Sequence, residues 1–304
     1  MAQENLEGRT VADYRLLKRV GEGGTATVYR AEHPDRGNCA VKILKPRLRA
    51  DENARKRFLR ESEYGGRVQH EAVVRTFDYG EADGLIYLAL EWAEGEALSD
   101  FVAHAGRVKP HLVAHMVTQL AGALGAAHAS DIIHRDLKPE NIVYDTETQT
   151  VKLLDFGIAR DAQADPAQRL TRTGFFVGTL QYVAPEALSG ELVGPLADIY
   201  SLATIAYHLL TGIHPHEGRS PRELFQQLLT ADPKPLNQAV KGVKFPATLE
   251  RAIMHGLRRD PAERPSTVEE FAEGVAKAGE PGAAVEDEEK GGLLGAFKSM
   301  LKKK

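Results

Sequence analysis

The apolar pattern changes period partway along the chain, and that change limits the architectures open to it. Residues 14 to 92 read mainly as strands. "YRLLKRVGEGGTATVYRAEH" holds two extended runs joined by glycines, and "CAVKILK" and "LIYLALEW" are compact apolar runs of strand length. One charged, helix-favouring segment, residues 51 to 68, interrupts them, followed by "HEAVVRTFDYG", a loop leading into a strand. From about residue 96 the period becomes helical. "HLVAHMVTQLAGALGAAHAS" is a long Ala- and Leu-rich helix, and "DIYSLATIAYHLLTG" is a second one, stopped by Gly212. The expected fold class is therefore α+β, with a small β-rich lobe ahead of a larger helical lobe and a hinge at "EWAEGE". No internal repeat is visible, and 304 residues suffice for one large domain or two lobes.

Composition excludes several classes. A formal net charge of −4 argues against general nucleic-acid binding, which shows as a basic balance. The single cysteine, Cys39, rules out an internal disulfide framework and fits a reducing compartment. The start, "MAQENLEGRT", lacks a basic-then-apolar signal pattern, and no run approaches the roughly 18 apolar residues of a membrane span. The expected location is cytoplasmic.

Three constellations carry chemistry. In "GEGGTATV", Gly21, Glu22, Gly23 and Gly24 sit between strands, not at a strand-to-helix junction, which disfavours a dinucleotide-binding turn. Glycines in such a hairpin let backbone N–H groups approach a phosphate. Ala26 stands where the third glycine of G-x-G-x-x-G would fall. Downstream, Lys42 in "AVKIL" is a lone strand cation. It is either a surface lysine on the polar face or a point charge directed at phosphates under the hairpin, positioned by Glu61 or Glu63 on the next helix. The third constellation is "IIHRDLKPENIVYD", where Asp136, Lys138 and Asn141 lie between two apolar anchors, followed by "VKLL" and then "DFG" with Asp155. Phosphoryl transfer needs oxygen ligands for Mg²⁺, an acceptor for the hydroxyl proton and cations on the phosphates. Asn141 and Asp155 suit the first, Asp136 the second, Lys42 and Lys138 the third. A polar loop between hairpin strands would need no such set.

These segments resemble the eukaryotic-like (Hanks-type) Ser/Thr protein kinases of bacteria over about residues 14 to 275. The resemblance implies a bilobal fold: an antiparallel β-rich N-lobe with one regulatory helix over 14–90, a hinge over 91–95 and a mainly helical C-lobe over 96–278. Residues 1–13 form an N-terminal extension. It implies ATP and Mg²⁺, with Mn²⁺ as an alternative ion, and protein substrates. Gly21 to Gly24, Val28, Ala40 and Lys42 would line the nucleotide site, Leu90 would be the gatekeeper, and the backbone of Glu91 to Ala93 would meet adenine. "GTLQYVAPE" resembles the substrate-positioning segment, Asp198 in "DIYSLA" the buried anchor of its helix, and Arg264 in "DPAERP" the arginine that pairs with Glu186. Lys138 and Thr179 follow the Ser/Thr-directed pattern and would brace Asp136 and the transferred phosphate. Thr171 and Thr173 stand where the family carries activating phosphates, with Arg135 and Arg160 as their expected partners.

Two other functions compete with this one. A catalytically silent pseudokinase acting as an ATP-binding scaffold would usually lack Lys42, Asp136 or Asp155, and all three are present. A small-molecule phosphotransferase would not need "GTLQYVAPE". Gly65 and Gly66 inside the helix of Glu61 mark either a helix easily displaced or a close packing contact; each costs roughly 1 kcal/mol relative to Ala. Ala203, where the family often has glycine, is expected to be neutral. His104, His111, His115, His128 and His208 show no metal-ligand spacing. Residues 279–292 read as a flexible linker. The tail "GGLLGAFKSMLKKK" places Leu293, Leu294, Phe297, Met300 and Leu301 at helical spacing among lysines, fit for dimerisation, a partner, an anionic membrane or a disordered end.

Overall fold

A computed structural model describes residues 5–155, 180–189 and 193–279, together with the backbone of 286–287. Contacts group the chain into two compact units: residues 1–101 with 122–175, and residues 102–121 with 176–304.

In the first unit, six strands form one antiparallel sheet: Thr10–Val11 (β1), Tyr14–Glu22 (β2), Ala26–His33 (β3), Gly37–Leu44 (β4), Thr76–Ala82 (β5) and Leu85–Glu91 (β6), in the order β1-β2-β3-β4-β6-β5. The charged segment forms the helix Glu52–Arg67 (α1), whose N-terminus is capped by the Asp51 carboxylate accepting from the N–H groups of Asn53 and Ala54. Side-chain parity then sorts the strands. Cys39, Val41 and Ile43 of β4 join Leu85, Tyr87 and Ala89 of β6 in one apolar cluster. Ala40 and Leu44 join Ile86, Leu88 and Leu90 in the other, where Phe58 of α1 and Leu154 also pack. Lys42 has the parity of Ala40 and Leu44. It therefore lies on the sheet face covered by α1, and the surface-lysine alternative falls away.

A smaller antiparallel sheet in this unit contains Glu96–Ala97 (β7), Ile142–Asp145 (β8) and Thr150–Leu153 (β9), in the order β7-β8-β9. Gly95 has φ +110°, and a Cβ there would run into the backbone of Tyr144 and Asp145. Only glycine permits the chain to enter β7 so close to β8. Leu98–Ala105 (α2) and Pro110–His128 (α3) come next in the chain after β7.

The second unit is helical. Besides the parts of α2 and α3 within residues 102–121, its described helices are Pro185–Ser189 (α4), Leu196–Thr211 (α5), Pro221–Thr230 (α6), Leu236–Ala239 (α7), Ala247–Gly256 (α8) and Val268–Ala278 (α9). Helix α5 is buried almost all round, including Asp198 in its first turn, and ends at Gly212 in the left-handed region with φ +74°. The Gly212 N–H donates to His208 O at 2.7 Å. Close approach explains a second glycine: a Cβ on Gly256 would lie 2.7 Å from both Ala203 Cβ and the Phe271 ring. So Ala203 fits because its facing residue has no side chain.

Glu186 and Arg264 form the expected pair through two parallel bonds of 2.7 and 2.8 Å. Inside the stretch read as linker, Glu286–Asp287 (β11) pairs antiparallel with Val243–Lys244 (β10). An extended polar segment can add to an unpaired strand edge without a hydrophobic pattern to announce it. No helix among the described residues is long and apolar enough to cross a membrane.

Candidate active site

The sheet register aligns the sequence-selected residues in rows. Gly21 of β2 faces Val28 of β3, Val28 faces Lys42 of β4, and Lys42 faces Leu88 of β6. In the next row Ala40 faces Leu90, which is 8% exposed, and Ala93 packs against the same apolar cluster. Between β2 and β3 the chain turns tightly over Gly23 and Gly24, with the Gly23 N–H donating to Ala26 O at 2.9 Å. Ala26 is buried in the cluster under the sheet, which accounts for a side chain where the motif has glycine.

The loop 134–141 has its own internal scaffold. Arg135 holds φ +61°, a costly backbone for a non-glycine residue, of the kind that persists where the surroundings enforce it. Its neighbour Asp136 receives the Lys138 ammonium at 3.2 Å from Oδ2. Asn141 Nδ2 donates to the Asp136 carbonyl at 2.8 Å and to Oδ2 at 3.3 Å. Because Asn141 turns its amide nitrogen to Asp136, its carbonyl oxygen is the end presented elsewhere. The sequence spacing D-L-K-P-E-N is closed here by a 3₁₀ turn over Pro139–Asn141.

Asp155 follows β9, and that strand is gripped on both sides. It pairs with β8 through Ile142 and Leu153. On the other side Leu153 N–H donates to Ala72 O at 2.7 Å, and Val74 N–H donates to Leu153 O at 3.0 Å. Leu154 N–H donates to Asn141 O at 2.8 Å, tying the two expected metal ligands together through backbone. The Asp155 carboxylate pairs with the Lys42 ammonium. Glu61 lies on α1 as expected; its side chain is outside the described residues, as are Arg160, Thr171, Thr173 and Thr179.

Some residues of this region escaped the motif reading. Lys152 donates to Glu91 Oε1 at 2.8 Å, and the Arg75 N–H donates to Oε2 at 3.1 Å, so both oxygens at the expected hinge are engaged. Burial alone would raise the Glu91 carboxyl, but these bonds outweigh it and hold it below its ordinary range. Lys45 pairs with Glu22 at 2.6 Å. In sequence, Lys152 and Lys45 are ordinary strand-end lysines; only register brings them to a carboxylate. In the second unit, Tyr182 of "GTLQYVAPE" is bonded to His208 Nδ1 at 2.9 Å, and His214 packs edge-on against the same ring. Of the histidines named from sequence, His208 thus packs within this cluster, and burial lowers its pKa from the ordinary imidazole value.

The first unit thus holds a carboxylate and an amide side chain on adjoining backbone, a second carboxylate braced by a lysine, and a further lysine on the strand row that runs from the glycine-rich hairpin. The protein kinase domain family matches residues 14–274. The chain is 35% identical over 271 residues to the serine/threonine-protein kinase pkn3 of Myxococcus xanthus, covering 87% of this chain and 50% of that one. It is 37% identical over 258 residues to PknD of Mycobacterium tuberculosis, covering 84% and 38% respectively. The solved kinase domain of Mycobacterium tuberculosis PknI aligns with a TM-score of 0.68 at 30% identity, over 90% of this chain and 98% of that one. The chain belongs to the protein kinase family and has the protein kinase fold of the bacterial serine/threonine branch. It spans half or less of the length of pkn3 and PknD. Members of this family use ATP with Mg²⁺ and act on protein hydroxyls.

Proposed function

We propose that this chain transfers the γ-phosphate of ATP to serine and threonine hydroxyls of proteins, with its kinase domain over residues 14–278. The observation that carries the reading is the meeting of Lys42 with Asp155 beside the Asp136–Asn141–Lys138 loop, within one compact unit. The donor chemistry fits Mg²⁺: a carboxylate and an amide carbonyl are hard oxygen ligands, and Mg²⁺ in such sites takes only one or two from the protein. Bound there, the ion would neutralise charge on the phosphate oxygens.

Each residue then has a task. Lys42 holds phosphate oxygens as a point charge, with Glu61 as its positioning partner on α1. The backbone of Gly21 to Gly24 covers the phosphates, Val28, Ala40 and Leu90 enclose the base, and Glu91 and Ala93 offer it backbone groups. Asp136 accepts the proton of the attacking hydroxyl. Lys138, already on Asp136, steadies the phosphate as it passes, with Thr179 bracing the same place. A protein target is favoured over a small molecule because "GTLQYVAPE" is retained. Cys39, the single cysteine and buried, suits a reducing, cytoplasmic setting.

Thr171 and Thr173 are proposed as autophosphorylation sites that order their segment through Arg135 and Arg160. The test of the whole reading is transfer of labelled phosphate from Mg²⁺–ATP to casein and to the chain itself, followed by mapping. Asp136→Asn should lower kcat by orders of magnitude with ATP affinity near normal. Thr171→Ala/Thr173→Ala should lose the label on that segment and lower activity on casein. A wild-type chain that binds ATP without transferring phosphate would return the pseudokinase reading.

A further inference from the structure

Glu22 puts a carboxylate into the turn proposed to cover the nucleotide phosphates, between Gly21 and Gly23. A negative charge there repels the polyanion it should enclose. The surroundings show how that charge is met. Lys45 Nζ lies 2.6 Å from Glu22 Oε1, with its side chain 18% exposed, and the Arg19 guanidinium takes Oε2. The contact extends along the backbone. The Lys45 N–H donates to Thr25 O at 2.9 Å, and Arg47 Nη2 donates to Gly24 O at 2.7 Å. Two residues just after β4, Lys45 and Arg47, therefore touch the turn at three places.

We infer that Lys45 is a positioning residue for nucleotide binding that acts through Glu22, cancelling its charge and holding the glycine-rich turn over the phosphates. The inference rests on the proposed reading of that turn as the nucleotide cover. Partly exposed ion pairs contribute little to folding, so the consequence belongs in ATP affinity and not in thermal stability. The pair is also near solvent, so salt should weaken its effect.

The test is a cycle of wild type, Lys45→Met, Glu22→Gln and the double variant, with kcat and KM for ATP measured at low and high salt. Lys45→Met should raise the ATP KM about three- to tenfold at low salt, a size set by losing one of the two cations that offset the Glu22 charge near the phosphates, with Arg19 still on Oε2. Its kcat and unfolding temperature should stay near wild type, and the KM gap should narrow at high salt. Lys45→Arg should restore the KM. The double variant should return to within about twofold of Glu22→Gln, since the repelling charge is gone. A double variant as weak as Lys45→Met would overturn the inference by showing that Lys45 meets the phosphates directly. So would an unchanged KM, or a joint loss of kcat and stability. Those results leave the kinase reading intact provided that wild type transfers phosphate; a wild type that neither binds nor uses ATP would sink both.

Discussion

Two ion pairs, one in each compact unit, contrast a joint with the pair proposed above to work in phosphoryl transfer. Arg264 spends every donor it has. Nε donates to Arg258 O at 2.7 Å; Nη1 to Glu186 Oε1 and Leu196 O at 2.7 and 2.8 Å; Nη2 to Glu186 Oε2 and Arg259 O at 2.8 and 3.0 Å. Its guanidinium also lies over the Tyr200 ring, and the two side chains are 0% and 5% exposed. Lys42 and Asp155 are also paired, but Asp155 keeps nearly a third of its side chain accessible. The buried pair gains from complete hydrogen bonding what desolvation costs it. The accessible pair holds two groups near each other while leaving the carboxylate open to another cation. Completeness of partners, more than the presence of an ion pair, distinguishes the buried joint from the pair proposed to act on the nucleotide.

The largest effect expected from breaking this contrast is catalytic. Asp155→Asn should reduce phosphoryl transfer by roughly a thousandfold or more, because the amide is a poor ligand for a hard cation. Full activity at saturating Mg²⁺ would remove Asp155 from its assigned task. In the other unit, Arg264→Met should cost about 3–5 kcal/mol by leaving Glu186 charged and buried without its partner. At roughly 2–4 °C per kcal/mol, the melting temperature should fall by about 10 °C. A fall of only a degree or two would mean that the joint is dispensable.

Acid should find the same unit. Burial, with His208 beside it, lowers the pKa of His214 to about 3. Burial, with the Arg259 charge adding to it against Asp232, lowers that of His216 to about 4. Both are bases whose folded pKa lies below the unfolded value near 6.5, so the unfolded chain takes up protons first as pH falls. Their contribution to stability is complete above pH 6.5 and is lost as pH drops toward 4, by up to about 1.4 kcal/mol per pH unit for each histidine. Urea midpoints at pH 7 and pH 5 should therefore diverge. The difference should shrink in His214→Gln, which cannot titrate; an equal difference in the variant would assign the acid sensitivity elsewhere.

The smallest effect separates the two glycines of α1. A Cβ on Gly65 would meet Thr76 Oγ1 at 3.2 Å, while one on Gly66 meets nothing within 4 Å. Gly66→Ala should stabilise the fold by about 1 kcal/mol. Gly65→Ala should gain less or lose, because Thr76 must give way. Equal gains from both would show that packing does not restrain Gly65. If α1 is easily displaced, Gly66→Ala should also raise activity of the unphosphorylated chain.

Most strands and α5 were legible because their apolar periods are strong, with Gly212 marking the end of α5, and α1 because its segment is charged and helix-favouring between apolar strands. The geometry of the loop from Asp136 to Asn141 was legible because its spacing is short and local and closes in a single turn. What depends on register was not. No pattern in "VKLL" shows that Lys152 reaches Glu91, nor does "KPRL" show that Lys45 and Arg47 reach the glycine turn. The two glycines of α1 read alike until Thr76 arrives from another strand. Likewise, Tyr182 and His208 are 26 residues apart and meet only through the packing of α5. Local chemistry travels in sequence; the charges that support it come from elsewhere in the chain.

The most direct measurement is the thermal midpoint of wild type and Asp155→Asn, each with and without Mg²⁺–ATP. If Asp155 is a working group and not a joint, the two apo midpoints agree. Mg²⁺–ATP then raises wild type by several degrees through binding to the folded state and raises the variant little. A variant that melts well below wild type without nucleotide, or that is stabilised equally by Mg²⁺–ATP, would contradict the assignment.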